Sequence, residues 1–444
     1  AGWYNLEFAS ERMLPSAVTG APEFSRKGIT LAQKIEVHEF PNGLVLLGEV
    51  MDWVESASFS IALPAGCARD PEGKLGLGNF ASEMCQRGCG PYDSRGFVEA
   101  LDRLGADRSS SVTHLHSSYS ASMLASDLPQ TLAVYAELVR RPHVPAEQLE
   151  EGRMVCLHEQ QALEDDLAQR TIQTLKRLTY PAPWGRTGSG NRADVESITI
   201  DEIKSFVSNY YQPRGAVISV AGNIDWSSLV GDIERLFGDW DPIENEPIVE
   251  TAPSGGYEHI QYDSNQTHIG VSYPTVPYAH EDYFLSRGAV GALSDGMSSR
   301  LFTEVREVRG LCYTVYAAYH SLRNAGRVMC YAGTSTDRAQ ETLDVMTAEL
   351  VRLKEGINEA ELRRLKARVR SSLIMQQEIT TARSGAMAAD WHHLGRVRTM
   401  DEVSSIIEDL TCDRINKFLA ENPPGDFVVV TLGAQPLEMP VGVS

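Results

Sequence analysis

The chain has 444 residues, 42% hydrophobic and 23% charged, a balance suited to two or three globular domains that each bury a core. Its formal net charge of −20 repels polyanions, so nucleic acid is not expected as a partner. The longest apolar runs, GLVLLGEV and DFVVVTLG, are of strand length, far short of the roughly 20 residues of a membrane helix. Seven scattered cysteines form no disulfide framework, so a cytoplasmic protein without a membrane partner is expected.

Residues 1–30, rich in turn formers and without periodicity, read as an N-terminal arm. A first domain, 31–240, opens with KIEVHEF and LVLLGEV about a Pro-Asn-Gly turn, followed by a third, alternating strand in ESASFSIALPAG. LGLGNFASEM at 75–84 begins a helix predicted over 76–87. Leu77, Phe80, Ala81 and Met84 form its apolar stripe, and Asn79, Ser82, Glu83 and Gln86 its polar one. Further helices are predicted at 94–104, 128–140, 146–178 and 201–211, with strands at 108–113 and 116–124. The strand GAVISVAGN and a helix from 225 close the unit.

WDPIENEPIVETAPSGG, with three prolines and two adjacent glycines, reads as a linker over 241–256. The second domain, 257–444, repeats the order. Its strands are predicted at 257–263 and 267–273, helices at 282–295 and 297–308, and strands at 311–320 and 326–334, before long helices. TLAVYAELVR at 131–140 against TLDVMTAELVR at 342–352 shows the duplication in letters. The expected fold class is α+β: two homologous domains, each an antiparallel sheet with helices packed on one face.

GLGNFA matches a dinucleotide-type GxGxxA, but it follows a loop and no βαβ unit surrounds it. GxxxxGK[ST] and GxSxG do not occur, and no cofactor is expected in this chain. Cys85 and Cys89 lack a second Cys/His pair to complete a tetrahedral site, so they read as buried thiols. A zinc peptidase of the inverted type carries HxxEH on a helix, two imidazoles at i and i+4 binding metal and the glutamate activating water. Here those five positions are Asn79, Phe80, Ala81, Ser82 and Glu83. Both histidines and the base are replaced, while Glu159 in EEGRMVCLHEQQALEDD stands where the third ligand would be. A degenerate site without metal is preferred over a plain solvated face. A substitute ligand set, His114 and His116 sharing a strand face at i, i+2 in THLHS with His158 and Glu159, is disfavoured. Successive helix positions point about 100° apart, so His158 and Glu159 do not share one ion. His392 and His393 in DWHHLG read as helix-surface or core-edge residues.

From about residue 31 onward the chain resembles the M16 family of pitrilysin, insulysin and mitochondrial processing peptidase, in its bacterial two-domain form. The resemblance rests on GLGNFASEMCQRG, YPAPWGRTGSG, YYQPRGAVISVAGNID and, most specifically, GMSSRLFTEVREVRGLCYTVYA. It implies two domains facing each other as a clamshell. It further implies pairing with an HxxEH-containing homologue that holds the zinc, while this chain supplies an Arg/Tyr pair, Arg306 and Tyr313. The residues themselves make that plausible. Met297, Leu301, Val305 and Val308 give a helical apolar face, Gly310 suits a C-terminal cap, and Leu311, Tyr313 and Val315 alternate on one strand face. Arg306 in the last turn and Tyr313 at the strand start would then converge on one peptide carbonyl. An Arg also suits a helix C-terminus and a strand Tyr also packs, without any catalytic role. The expected substrate is an unfolded peptide added as a strand to the partner's sheet. The second reading is a non-catalytic scaffold subunit, against which retention of both Arg306 and Tyr313 argues.

Overall fold

The computed structural model describes residues 33–440; the arm predicted over 1–30 lies outside them. The first half runs β1 (Lys34–Glu39), β2 (Val45–Val50), β3 (Ser56–Leu63) and α1 (Leu77–Cys85). A short ladder of β4 (Gly88–Cys89) and β5 (Tyr92–Asp93) follows, then α2 (Ser94–Arg103), β6 (Asp107–Val112), β7 (Ser117–Leu124) and α3 (Leu128–Arg140). Next come α4 (Leu149–Asp165), α5 (Leu167–Thr179), α6 (Arg192–Ser197), α7 (Ile200–Tyr210), β8 (Val217–Gly222) and α8 (Trp226–Phe237). The second half has β9 (Tyr257–Gln261), β10 (Gln266–Thr275), α9 (Tyr283–Ser294), a π-helical turn at Phe302–Val308, β11 (Cys312–Ser321) and β12 (Gly326–Ser335). It closes with α10 (Ala339–Arg352), α11 (Glu359–Gln376), α12 (Thr380–Leu394), α13 (Met400–Glu408), α14 (Cys412–Glu421) and β13 (Val428–Gly433).

The duplication is visible in the strand order. The first sheet reads β1-β2-β8-β3-β7-β6 and the second, from its far edge, β9-β13-β10-β12-β11; without β1 the two orders match strand for strand. The lettered repeat falls on α3 and α10, which follow equivalent hairpins. Each half has its own apolar core. Phe59, Phe80, Leu132 and Ile218 belong to the first, and Ile269, Val271, Leu343 and Met346 to the second.

Three expectations are corrected. The sheets are mixed, because β2 pairs with β8 and β9 with β13 in parallel. The single helix expected over 146–178 is two, broken at Asp166 (φ −84, ψ 94), whose carboxylate caps α5 by accepting from the amides of Ala168 and Gln169. Helices cover both faces of each sheet. β8 and β13 are buried along their whole length, so each needs cover on its second face, and the two halves supply it to one another. From the second half, α12 lies on β3 and β8, with Met387 packed among Leu47, Met51, Val217 and Ala221. From the first half, α5 lies on β10 and β13, with Leu175, Leu178 and Tyr180 packed on Met329, Val428 and Val430. Gly270 permits this approach: a Cβ there would stand 3.1 Å from Thr171 Cγ2 and 3.3 Å from Leu175 Cδ2.

The stretch read as a linker is tied down along the first half. Ala182 and Thr251 exchange backbone hydrogen bonds of 2.9 Å in both directions, and Arg69 donates to the Glu246 carbonyl at 2.6 Å.

Candidate functional site

Helix α1, which carries Asn79 to Glu83, begins against the glycine-rich end of YPAPWGRTGSG. Gly76 adopts φ +97, where a side chain is strained, and a Cβ on it would stand 2.9 Å from the Ser189 carbonyl oxygen. The Asp70 carboxylate closes the helix start, accepting from the amides of Gly76 at 2.8 Å and Gly78 at 2.9 Å. Burial pushes this carboxyl up to about 7 against the pull of those amides and of Arg186.

Asn79, Glu83 and Glu159, the three positions compared with an inverted zinc motif, lie near one another. Asn79 Nδ2 donates to Glu159 Oε2 at 3.0 Å across α1 and α4, and Cys156 lies beside Asn79 at 3.9 Å. Glu83 is committed to Arg87, whose Nη2 donates to its Oε1 at 2.7 Å. Burial, followed by the neighbouring Glu159 and Glu83 carboxylates, pushes the Cys156 thiol up to about 12. An amide, two carboxylates and a protonated thiol, with no imidazole, do not fit a zinc site, whose usual ligands are His nitrogen and Cys thiolate. Among the described residues no group of three or more His, Cys, Asp and Glu side chains is placed to hold a metal ion.

Ser82 departs from the expected polar face. It is 4% exposed and reaches the buried hydroxyl pair of Tyr119 and Tyr211, which are 2.8 Å apart. His114 and His116 lie in the turn between β6 and β7 and face His392, whose ring centre is 5.0 Å from that of His116; they do not share a strand face. Cys85 and Cys89 are buried free thiols, as expected.

A cleft of about 520 Å³ opens over Asn79 and Glu159, bounded by Val112 at the end of edge strand β6, by Asp166 and Gln169, and by residues 187–189. Asp166 also influences Tyr316 and Tyr331 on the second sheet, so the second half flanks the cleft. The sequence reading missed Asp166; its signal was the acidic break between two helical runs.

The Arg/Tyr pair is built by two local irregularities. Arg306 sits in the π-helical turn, and its guanidinium carbon lies 4.7 Å from the Phe302 ring centre and 4.8 Å from that of Tyr313, a cation held between two aromatic faces. Tyr313 occupies a β-bulge: Cys312 pairs with Thr334 and Thr314 with Gly333, leaving Tyr313 without a partner. A bulge re-aims its side chain, and Tyr313 is 77% exposed. This corrects the expected alternation with Leu311 and Val315. The helical face is also narrower than expected, since Leu301 and Val305 are fully buried while Met297 and Val308 are exposed. Between the two residues, Gly310 turns with φ +57, and Arg338 donates to the carbonyls of Arg309 and Gly310 at 3.0 and 2.9 Å. Arg338, distant in sequence, carried no signal of this bracing role.

Two family models match the chain: Insulinase (Peptidase family M16) over residues 52–187 and Peptidase M16 inactive domain over residues 197–369. Both describe one family, and together they span well over half of the chain. The chain belongs to the M16 peptidase family. An uncharacterized zinc protease of Rickettsia felis is 24% identical over 87% of this M16 chain and 94% of its own. One of Mycobacterium tuberculosis is 27% identical over 85% and 88%. Among solved structures, a peptidase M16 inactive domain from Pseudomonas fluorescens superposes with a TM-score of 0.81 at 19% identity, covering 92% of this chain and 99% of its own. A protease from Helicobacter pylori gives 0.82 at 19% identity, over 91% and 100%. The two-domain M16 fold is thereby shared, and the second half is of the type described as inactive.

Proposed function

We propose that this M16 protein is the non-zinc subunit of a two-subunit metallopeptidase, contributing Arg306 and Tyr313 and half of a peptide chamber to an HxxEH-bearing homologue that holds the zinc. The observation that carries the reading is the Arg306 guanidinium, held between Phe302 and Tyr313 while the Tyr313 ring stands out on its bulge. In the same chain, the zinc helix has no imidazole at Asn79 or Glu83. When a nucleophile held by the partner adds to a peptide carbonyl, negative charge grows on the oxygen. Donors already aimed at that oxygen then stabilise the transition state more than the ground state. An unfolded peptide fits such a chamber because strand addition recognises backbone, not sequence. The seven cysteines are all free thiols, which accords with a cytoplasmic setting. Among the described residues no helix is long and apolar enough to cross a membrane.

The test has two arms. The purified chain alone should carry no stoichiometric zinc by metal mass spectrometry, and one tightly held zinc per chain would overturn the degenerate-site reading. In a reconstituted pair, Tyr313→Phe and Arg306→Ala should each lower turnover of a quenched fluorescent peptide by about 10²–10³, the usual cost of one such donor. Zinc content and dimer mass should not change. Wild-type turnover in both variants would leave the scaffold reading in its place.

A further inference from the structure

Five of the eleven histidines meet where the two halves of the molecule join. His114 and His116 come from the β6–β7 turn, His320 from the end of β11, and His392 and His393 from α12. The rings of His116 and His392 are 5.0 Å apart in edge contact, those of His392 and His393 4.8 Å, and that of His393 lies 4.8 Å from Tyr278. His114 packs edge-on against Trp184 at 6.2 Å. Tyr180, at the end of α5, shares a 2.7 Å hydrogen bond with His320 Nδ1. His392 Nε2 and His393 Nδ1 are buried without a hydrogen-bond partner. The cluster therefore seals a contact between the halves with neutral, partly unsatisfied rings.

The charged groups facing these rings are mainly cationic. Lys176 approaches from α5, Arg323 from the β11–β12 turn and Arg398 from the segment after α12, while Arg327 stands opposite His320 on β12. Two carboxylates are near. Asp390 is already bound by Arg398 at 2.7 Å and by the Tyr278 hydroxyl at 2.6 Å, and Asp426 acts on Arg327. The phenols of Tyr180, Tyr278, Tyr283 and Tyr319 complete the surroundings and stay uncharged at neutral pH.

We propose that this junction is a proton-operated latch between the two halves of the chain. Neutral imidazoles hold α12 and the end of the β11–β12 hairpin against the β6–β7 turn, and acidification charges them beside Lys176, Arg327 and Arg398 and releases the contact. The direction follows from proton linkage. Burial first, then neighbouring imidazoles and cations, holds His114 and His393 down at about 4 and His116 at about 3. His392 is lowered, chiefly by burial, and His320 lies well below the ordinary range. Once opened to solvent, each ring returns to about 6.5. The open state thus binds more protons between about pH 3 and 6.5. The latch is at full strength above about pH 6.5 and weakens as pH falls below it.

Between pH 7.5 and 5.5 the opening equilibrium should rise about tenfold for each histidine released, in a window above the ordinary carboxylate range near 4. Hydrogen exchange of the full chain, corrected for the intrinsic rate, reads this directly. Protection of α12 should fall at least tenfold from pH 7.5 to 5.5 while α3 in the first core holds. His392→Gln and the pair His116→Gln/His392→Gln should flatten that response stepwise. An equal pH response in wild type and variants, or unchanged α12 protection, would overturn the latch. Should the double variant not fold, histidine ring NMR of the wild type decides: a free-like titration near 6.5 in the cluster, with α12 still protected, would also overturn it.

Discussion

The two exchanged helices, α12 on the first sheet and α5 on the second, occupy matching places and are held by different physics. Under α12 the apolar packing of Met387 is joined by buried polar links: Arg383 Nε donates to Glu49 Oε2 at 2.7 Å with both side chains 3% exposed. Ser58 and Thr380 hydroxyls meet at 2.6 Å, and Ser219 donates to the Ser384 carbonyl at 2.8 Å. Under α5 the contact is mainly apolar, made by Leu175, Leu178, Met329, Val428 and Val430. A buried ion pair gains little net energy once desolvation is counted, but it tolerates no misregistered partner. Apolar burial is stronger per area and indifferent to small slides. The duplicated fold therefore has one junction whose buried ion pair fixes the register of the halves and one that rests mainly on apolar adhesion.

This contrast can be broken by substitution. The largest effect should follow Glu49→Ala or Arg383→Ala, each leaving an uncompensated buried charge, at about 3–5 kcal/mol by urea denaturation. Leu175→Ala, removing a fully buried side chain beneath α5, should cost about 2–5 kcal/mol, toward the lower end because the site lies at an interface. Ser58→Ala should cost about 1–2 kcal/mol by orphaning the Thr380 hydroxyl. The smallest change should be that of Glu49→Leu/Arg383→Met, which replaces the pair by apolar groups and should fall well below either single alanine variant. A double variant as damaged as the singles would mean that the pair contributes adhesion and not register.

Much of the candidate site was legible. The match of Asn79, Glu83 and Glu159 to the three ligand positions of an inverted zinc motif implied that these residues share one place, and Asn79 does bond Glu159. Ser82 was misread because α1 packs on Tyr119 and Tyr211, which the helix's own pattern does not reveal. Tyr313 was placed on a strand face with Leu311 and Val315 because alternation is a local rule. The bulge that breaks it depends on the register of β11 with β12, and on Thr334 and Arg338 beyond the strand.

The sequence by itself determined the local elements and the duplication. Periodicity, turn residues and caps act over a few neighbours, and they place most helices and strands up to β12. It also determined the absence of imidazoles from Asn79 and Glu83 on α1, since residue identity needs no folding to read. Only the tertiary structure decided that each half lends a helix to the other's sheet, that Tyr313 leaves the strand face, and that five histidines gather at the junction. Those outcomes depend on contacts between segments far apart in the chain. No local pattern encodes them, because the free energy that selects them appears only when both partners are buried together.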